Sequence, residues 1–69
     1  EFLDLGVFHK GFATAKDAGG WMHINKEGTP LYPQRYAMVE PFYNGFSLVT
    51  DIIGVKKIID EKGSVVLSI

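Results

Sequence analysis

The stretch Phe8-His9-Lys10-Gly11-Phe12-Ala13-Thr14-Ala15 returns along the chain as Phe42-Tyr43-Asn44-Gly45-Phe46-Ser47-Leu48-Val49. Gly11 maps onto Gly45, 34 positions later. A second match follows, in which Ile24-Asn25-Lys26-Glu27-Gly28-Thr29 returns as Ile59-Asp60-Glu61-Lys62-Gly63-Ser64. Gly28 and Gly63 lie 35 positions apart, so the second copy carries one extra residue between the matches. Upstream, Phe2, Leu5 and Phe8 match Tyr36, Val39 and Phe42, each at 34 positions. A fixed period of this size marks a repeat architecture. It divides the chain into units 2–35 and 36–69. Repeat units build surfaces by stacking on their neighbours, and two of them leave apolar ends uncovered. The chain opens in mid-pattern at Glu1-Phe2, with no initiator Met and no signal peptide, and reads as a fragment of a longer array.

Composition narrows the classes. At 46% apolar and 22% charged, the 69 residues are too apolar for disorder. The net charge of −1 argues against a nucleic-acid or anionic-membrane partner, either of which favours a basic excess. No cysteine is present, so disulfides and thiolate metal sites are ruled out while the compartment is left open. No apolar run is long enough to span a bilayer. A chain of about 60 residues buries only about 60% of its unfolded surface, so two units form a marginal core.

The local signals are β. Phe12 to Lys16 is a short run entered from Gly11 and stopped by the turn formers Asp17-Ala18-Gly19-Gly20. Trp21 to Asn25 is the next strand, and Lys26-Glu27-Gly28 is a tight turn. Thr29 to Tyr32 is the return strand, kept short or at an edge by Pro30, which has no N–H to donate. The second unit repeats the plan with strands at 46–50, 56–60 and 64–67 and turns at Asp51 to Gly54 and Glu61-Lys62-Gly63. The expected fold is all-β, with two tandem units of about three short antiparallel strands joined as meanders. In the aromatic-rich connector, the spacing of three in Phe2-Leu5-Phe8-Gly11 and Tyr36-Val39-Phe42-Gly45 favours a turn or a single helical turn. Pro33 and Pro41 bracket the second copy and favour an extended chain.

Alternation assigns the faces. Ala13, Ala15 and Ile24, with Val49 and Ile59 in the second copy, are expected in the core, with Phe8 or Phe42 lying on their small side chains. Trp21, His23 and Asn25 fall on the other side and are expected to be half exposed, as are Lys56, Ile58 and Asp60.

The motifs Phe8-x-x-Gly11-Phe12-Ala13-x-Ala15, Trp21-x-x-Ile24-Asn25 and Gly28 resemble the bacterial WG (KWG) repeat, and Phe42, Gly45, Val49, Ile59, Asp60 and Gly63 fit a second copy. Met22 stands where the family usually has glycine, and Lys56 replaces the second tryptophan. The resemblance implies an all-β repeat without catalytic residues. The hairpin Gly20 to Gly28 is also similar to choline-binding repeats of bacterial surface proteins, which hold a quaternary ammonium between aromatic faces. Only Trp21 is available for such a cage, and Lys56 repels a cation at the equivalent place.

No residue set points to catalysis. His9 and His23 do not recur, whereas a metal site needs three or four converging ligands. Asp4, Asp17, Asp51, Asp60 and Glu61 fall at turns and strand ends, where carboxylates cap backbone groups. Ser47 takes the place of Ala13 and reads as packing. Tyr32, Tyr36, Phe42 and Tyr43 cluster around the prolines and are expected to fill the space between units. The candidate binding residues are Trp21, His23, Tyr32, Arg35 and Tyr43, aromatic and arginine types being enriched in binding hot spots. The expected function is a non-catalytic module for protein–protein interaction or scaffolding. Its partners would be another protein, neighbouring repeats or a second copy, and no cofactor or metal is implied. The alternative is a small-ligand, cell-wall saccharide or choline binder with Trp21 as a stacking platform.

Overall fold

Phe12-Ala13-Thr14-Ala15-Lys16-Asp17 pairs with Gly20-Trp21-Met22-His23-Ile24-Asn25 in the computed structural model of the protein, which describes residues 2–6, 8 and 10–69. The fold is all-β, with no helix among these residues, and consists of two antiparallel sheets in two halves. The first sheet has the order β1 (Asp4–Leu5), β2 (Phe12–Asp17), β3 (Gly20–Asn25). The second has the order β4 (Met38–Val39), β5 (Phe46–Thr50), β6 (Lys56–Asp60), β7 (Val65–Ser68).

The connectors are extended. Each contributes a two-residue strand, β1 or β4, to the sheet that follows it. The helical alternative fails because both connectors bond to the next strand: Gly6 N–H donates to the Thr14 carbonyl at 2.7 Å, and Glu40 N–H to the Leu48 carbonyl at 3.1 Å. Each connector then enters its long strand through two consecutive left-handed residues, Lys10-Gly11 (φ 55° and 85°) or Asn44-Gly45 (φ 53° and 84°). In the second half Tyr43 and Phe46 exchange backbone hydrogen bonds across it, the mirror-image two-residue hairpin, whose twist suits right-handed strands. Asn tolerates the left-handed region far better than Lys does. Lys10→Asn is therefore expected to stabilise the protein by about 0.5–1 kcal/mol in a denaturant titration.

Three further turns use one recurring device. Asn25, Asp51 and Asp60 each accept, through Oδ1, two backbone N–H groups, those two and four residues ahead. The glycine three residues on takes the left-handed conformation that closes the loop, at φ 82° for Gly28, 94° for Gly54 and 85° for Gly63. The extra residue of the second copy lies in such a loop. Asp17 and Gly20 pair across a two-residue turn, whereas Asp51 donates its N–H to Val55 across three residues. Beyond it the halves are in register, Ala15↔Met22 matching Val49↔Lys57.

The return strands differ. In the second half β7 runs along β6, displaced by one residue from the expected 64–67. In the first half Thr29 to Tyr32 forms no strand, and its backbone meets β3 through the Asn25 N–H to Thr29 carbonyl bond, the Ile24–Pro30 bridge and the Leu31 N–H to His23 carbonyl bond. Pro30 cannot extend the ladder, and the chain turns so that Tyr32 points inward.

Ala13, Ala15, Met22, Ile24, Val49 and Ile59 form the core with Tyr32 and Tyr36. The expected core positions are all buried. Phe8 remains exposed, and Phe42 covers the opposite side of the first sheet, with its ring 5.2 Å from Phe12 and 4.1 Å from His23.

Candidate functional site

β3 buries three consecutive residues, Met22, His23 and Ile24, so both of its faces are covered. This corrects the expectation that His23 lies on a half-exposed face, since its side chain is fully buried. Alternation identifies the side of a strand but not what lies against it. Here Phe42, Tyr32 and the backbone at Glu40 close over the second side.

The bonds around His23 set its protonation. Nε2 lies 2.7 Å from the Glu40 carbonyl oxygen, which can only accept, so Nε2 carries the hydrogen. Nδ1 then accepts from the Tyr32 hydroxyl at 2.6 Å, and that hydroxyl accepts the His23 backbone N–H at 3.1 Å. The Glu40 carbonyl also accepts from Ser47 Oγ at 2.6 Å. One carbonyl thus joins β3 of the first half to β5 of the second. All buried side-chain nitrogen and oxygen atoms among the described residues have partners.

Burial lowers the His23 pKa from its ordinary 6.5, partly opposed by the bond to Glu40, and burial raises that of the Tyr32 phenol. The unfolded chain therefore binds the histidine proton at a higher pH than the folded chain. The contribution of His23 to stability is complete above about pH 6.5 and declines as the pH falls towards the lower folded value. Denaturant midpoints measured from about pH 8 to about pH 5 should fall on the acid side, and His23→Gln should flatten that decline.

Arg35 and Trp21 hold the junction from outside. Arg35 Nε pairs with Asp17 Oδ2 at 3.1 Å, and its Nη1 donates to the Pro33 and Gln34 carbonyls at 3.0 and 3.1 Å. Asp17 is held below the ordinary carboxylate range first by the Gly19 N–H and then by Arg35. Trp21 exchanges backbone hydrogen bonds with Tyr36 at 2.8 and 2.9 Å. Its half-buried ring carries the Lys16 ammonium 6.0 Å from the centroid.

Among the five candidate residues, His23, Tyr32 and Arg35 are gathered at the junction, and Trp21 borders it. Tyr43 stands apart, 77% exposed at the Asn44-Gly45 turn. Tyr32, Tyr36 and Phe42 fill space between the halves as expected, and Tyr43 does not. His9 lies outside the described residues. Among the described residues no three histidine or carboxylate side chains come together to hold a metal ion.

Sequence reasoning missed the outward apolar residues of the second half. Ile52 and Ile53 project from the β5–β6 turn, and Phe46, Val65, Val66 and Leu67 are about half exposed. Ile52-Ile53 was a legible signal, two β-branched apolar residues in a turn that favours polar ones.

No protein-family profile, curated protein or solved structure matches the chain.

Proposed function

We propose that the protein is a non-catalytic, WG-like repeat module that acts by contact with other polypeptides. The reading is carried by the division of its side chains. The groups capable of chemistry, His23, Tyr32, Ser47 and Arg35, are all engaged in structural bonds, and that of His23 to the Glu40 carbonyl joins the two halves. The apolar groups of the second half are turned outward on β7 and the β5–β6 turn. Exposed apolar surface of this kind is characteristic of interaction sites. The ligand-platform alternative is less favoured, because Lys16 places a cation above the Trp21 ring, where choline or a sugar would stack.

Trp21 fluorescence tests the reading through titration with choline chloride and with a chitin oligosaccharide. An interaction module gives no saturable change with either. A saturable change with either ligand, matched by a binding heat in calorimetry that is lost in Trp21→Ala, overturns the reading in favour of a ligand platform.

A further inference from the structure

We infer that the open face of the second half receives the connector of the first half from another copy, so that copies join head to tail. The inference rests on the module reading above and names its partner as a second molecule of this chain.

The junction within the chain is the template. In the first sheet, Phe12, Thr14 and His23 share a side, and Phe42 from the following connector packs on Phe12 and His23. The matching residues of the second sheet are Phe46, Leu48 and Ile58. Register extends this row onto β7, with Leu48 opposite Ile58 and Ile58 opposite Leu67. At the ends of the row Phe46 is 46% and Leu67 54% exposed, and between them Leu48 and Ile58 are half-buried, so that Ile58 is less covered than its counterpart His23, which is fully buried beneath Phe42. Beside Phe46 is an open hollow of about 340 Å³, lined by Gly45, Phe46, Asp60, Glu61 and Lys62. It adjoins the ring that matches Phe12, the residue against which Phe42 lies.

The ligand for this face is carried at the other end of the molecule. Leu5 and Phe8 match Val39 and Phe42 by the repeat, yet they are 55% and 47% exposed, whereas Phe42 is buried and Val39 packs on the core. The two unmatched surfaces are therefore the two sides of one junction. Ile58 stands where the first half has His23, so the row is apolar and its cover needs no counterpart of the Glu40 carbonyl. A phenylalanine ring satisfies it. Because donor and acceptor surfaces differ, the association is heterologous and propagates unless it closes into a ring.

Sedimentation across about 1 μM to about 1 mM, the range in which weak interfaces appear, tests this. The parent chain is expected to gain mass with concentration. Phe8→Ser lacks the donor and Leu67→Ser the acceptor, so each alone should associate at least ~10-fold more weakly. Their equimolar mixture retains one intact junction and should stop at a dimer. Circular dichroism checks folding, with Leu5→Ser and Phe46→Ser as replacements for any variant that does not fold. A parent chain that is monomeric throughout overturns the inference, as does a mixture that stays monomeric. So does loss of association in Leu67→Ser with none in Phe8→Ser, which is the signature of β7 edges pairing with each other. These failures leave the module reading in place, whereas a saturable Trp21 response to choline or sugar removes that reading whatever the mass.

Discussion

Tyr32→Ala is expected to cost about 3–5 kcal/mol of folding stability, the usual cost of truncating a buried aromatic residue. A chain of this length holds only roughly 3–10 kcal/mol in total, so much of the population should unfold. Three losses coincide at this residue. Its ring is 4% exposed in the core, edge-on to Tyr36 and His23, each with centroids 5.8 Å away. Its hydroxyl serves both Nδ1 and the backbone N–H of His23. Gly63, at the end of a turn of the second half, lies against its side chain. Tyr32→Phe isolates the hydroxyl and should cost about 1–3 kcal/mol, because buried polar groups are left unpaired. Denaturant unfolding followed by circular dichroism measures both variants. A Tyr32→Ala midpoint equal to that of the parent would mean that this contact does not hold the halves together.

Gly63→Ala should cost about 2–5 kcal/mol, and Gly28→Ala only about 1–2 kcal/mol. The two glycines close equivalent turns with nearly the same backbone, at φ 85° and 82°. An alanine pays the left-handed strain at either place. Around Gly28 nothing lies within 4 Å of an added Cβ. At Gly63 the added Cβ would lie 2.6 Å from Tyr32 Cβ and 2.8 Å from Tyr32 Cγ, so the turn and the tyrosine must separate. The difference between the variants thus reports the packing of one half on the other. Equal losses would contradict that packing.

The self-consistency of β2, β3, β5 and β6 explains why they were legible in the sequence. Each is a short run without proline that places small or apolar residues on its inward side between turn formers, and the turns have glycine where a positive φ is needed. The candidate site was legible only in part. Tyr32 and Arg35 stood out by residue type, but the partner of His23 is a backbone carbonyl, which any residue at position 40 would supply. Ser47 reads as packing in the sequence; it is buried, and its hydroxyl also reaches that carbonyl. The row Phe46, Leu48, Ile58, Leu67 could not be assembled before register was known, because it spans three strands.

The sequence by itself determined the repeat, the strands flanking each turn and the inward side of the core, because these follow from short-range terms. A residue's φ preference acts on its own turn, and side-chain alternation acts over two residues. Only the tertiary structure decided that the connectors run extended, that Pro30 reduces a strand to a bridge, and that β3 is covered on both sides. Those outcomes depend on residues distant in the chain, as when Glu40 meets His23 across 17 positions. Two copies with nearly the same local pattern thus acquire different surroundings. The first has Phe42 of the second packed over its His23 face, whereas the matching face of the second leaves Phe46 and Leu67 about half exposed.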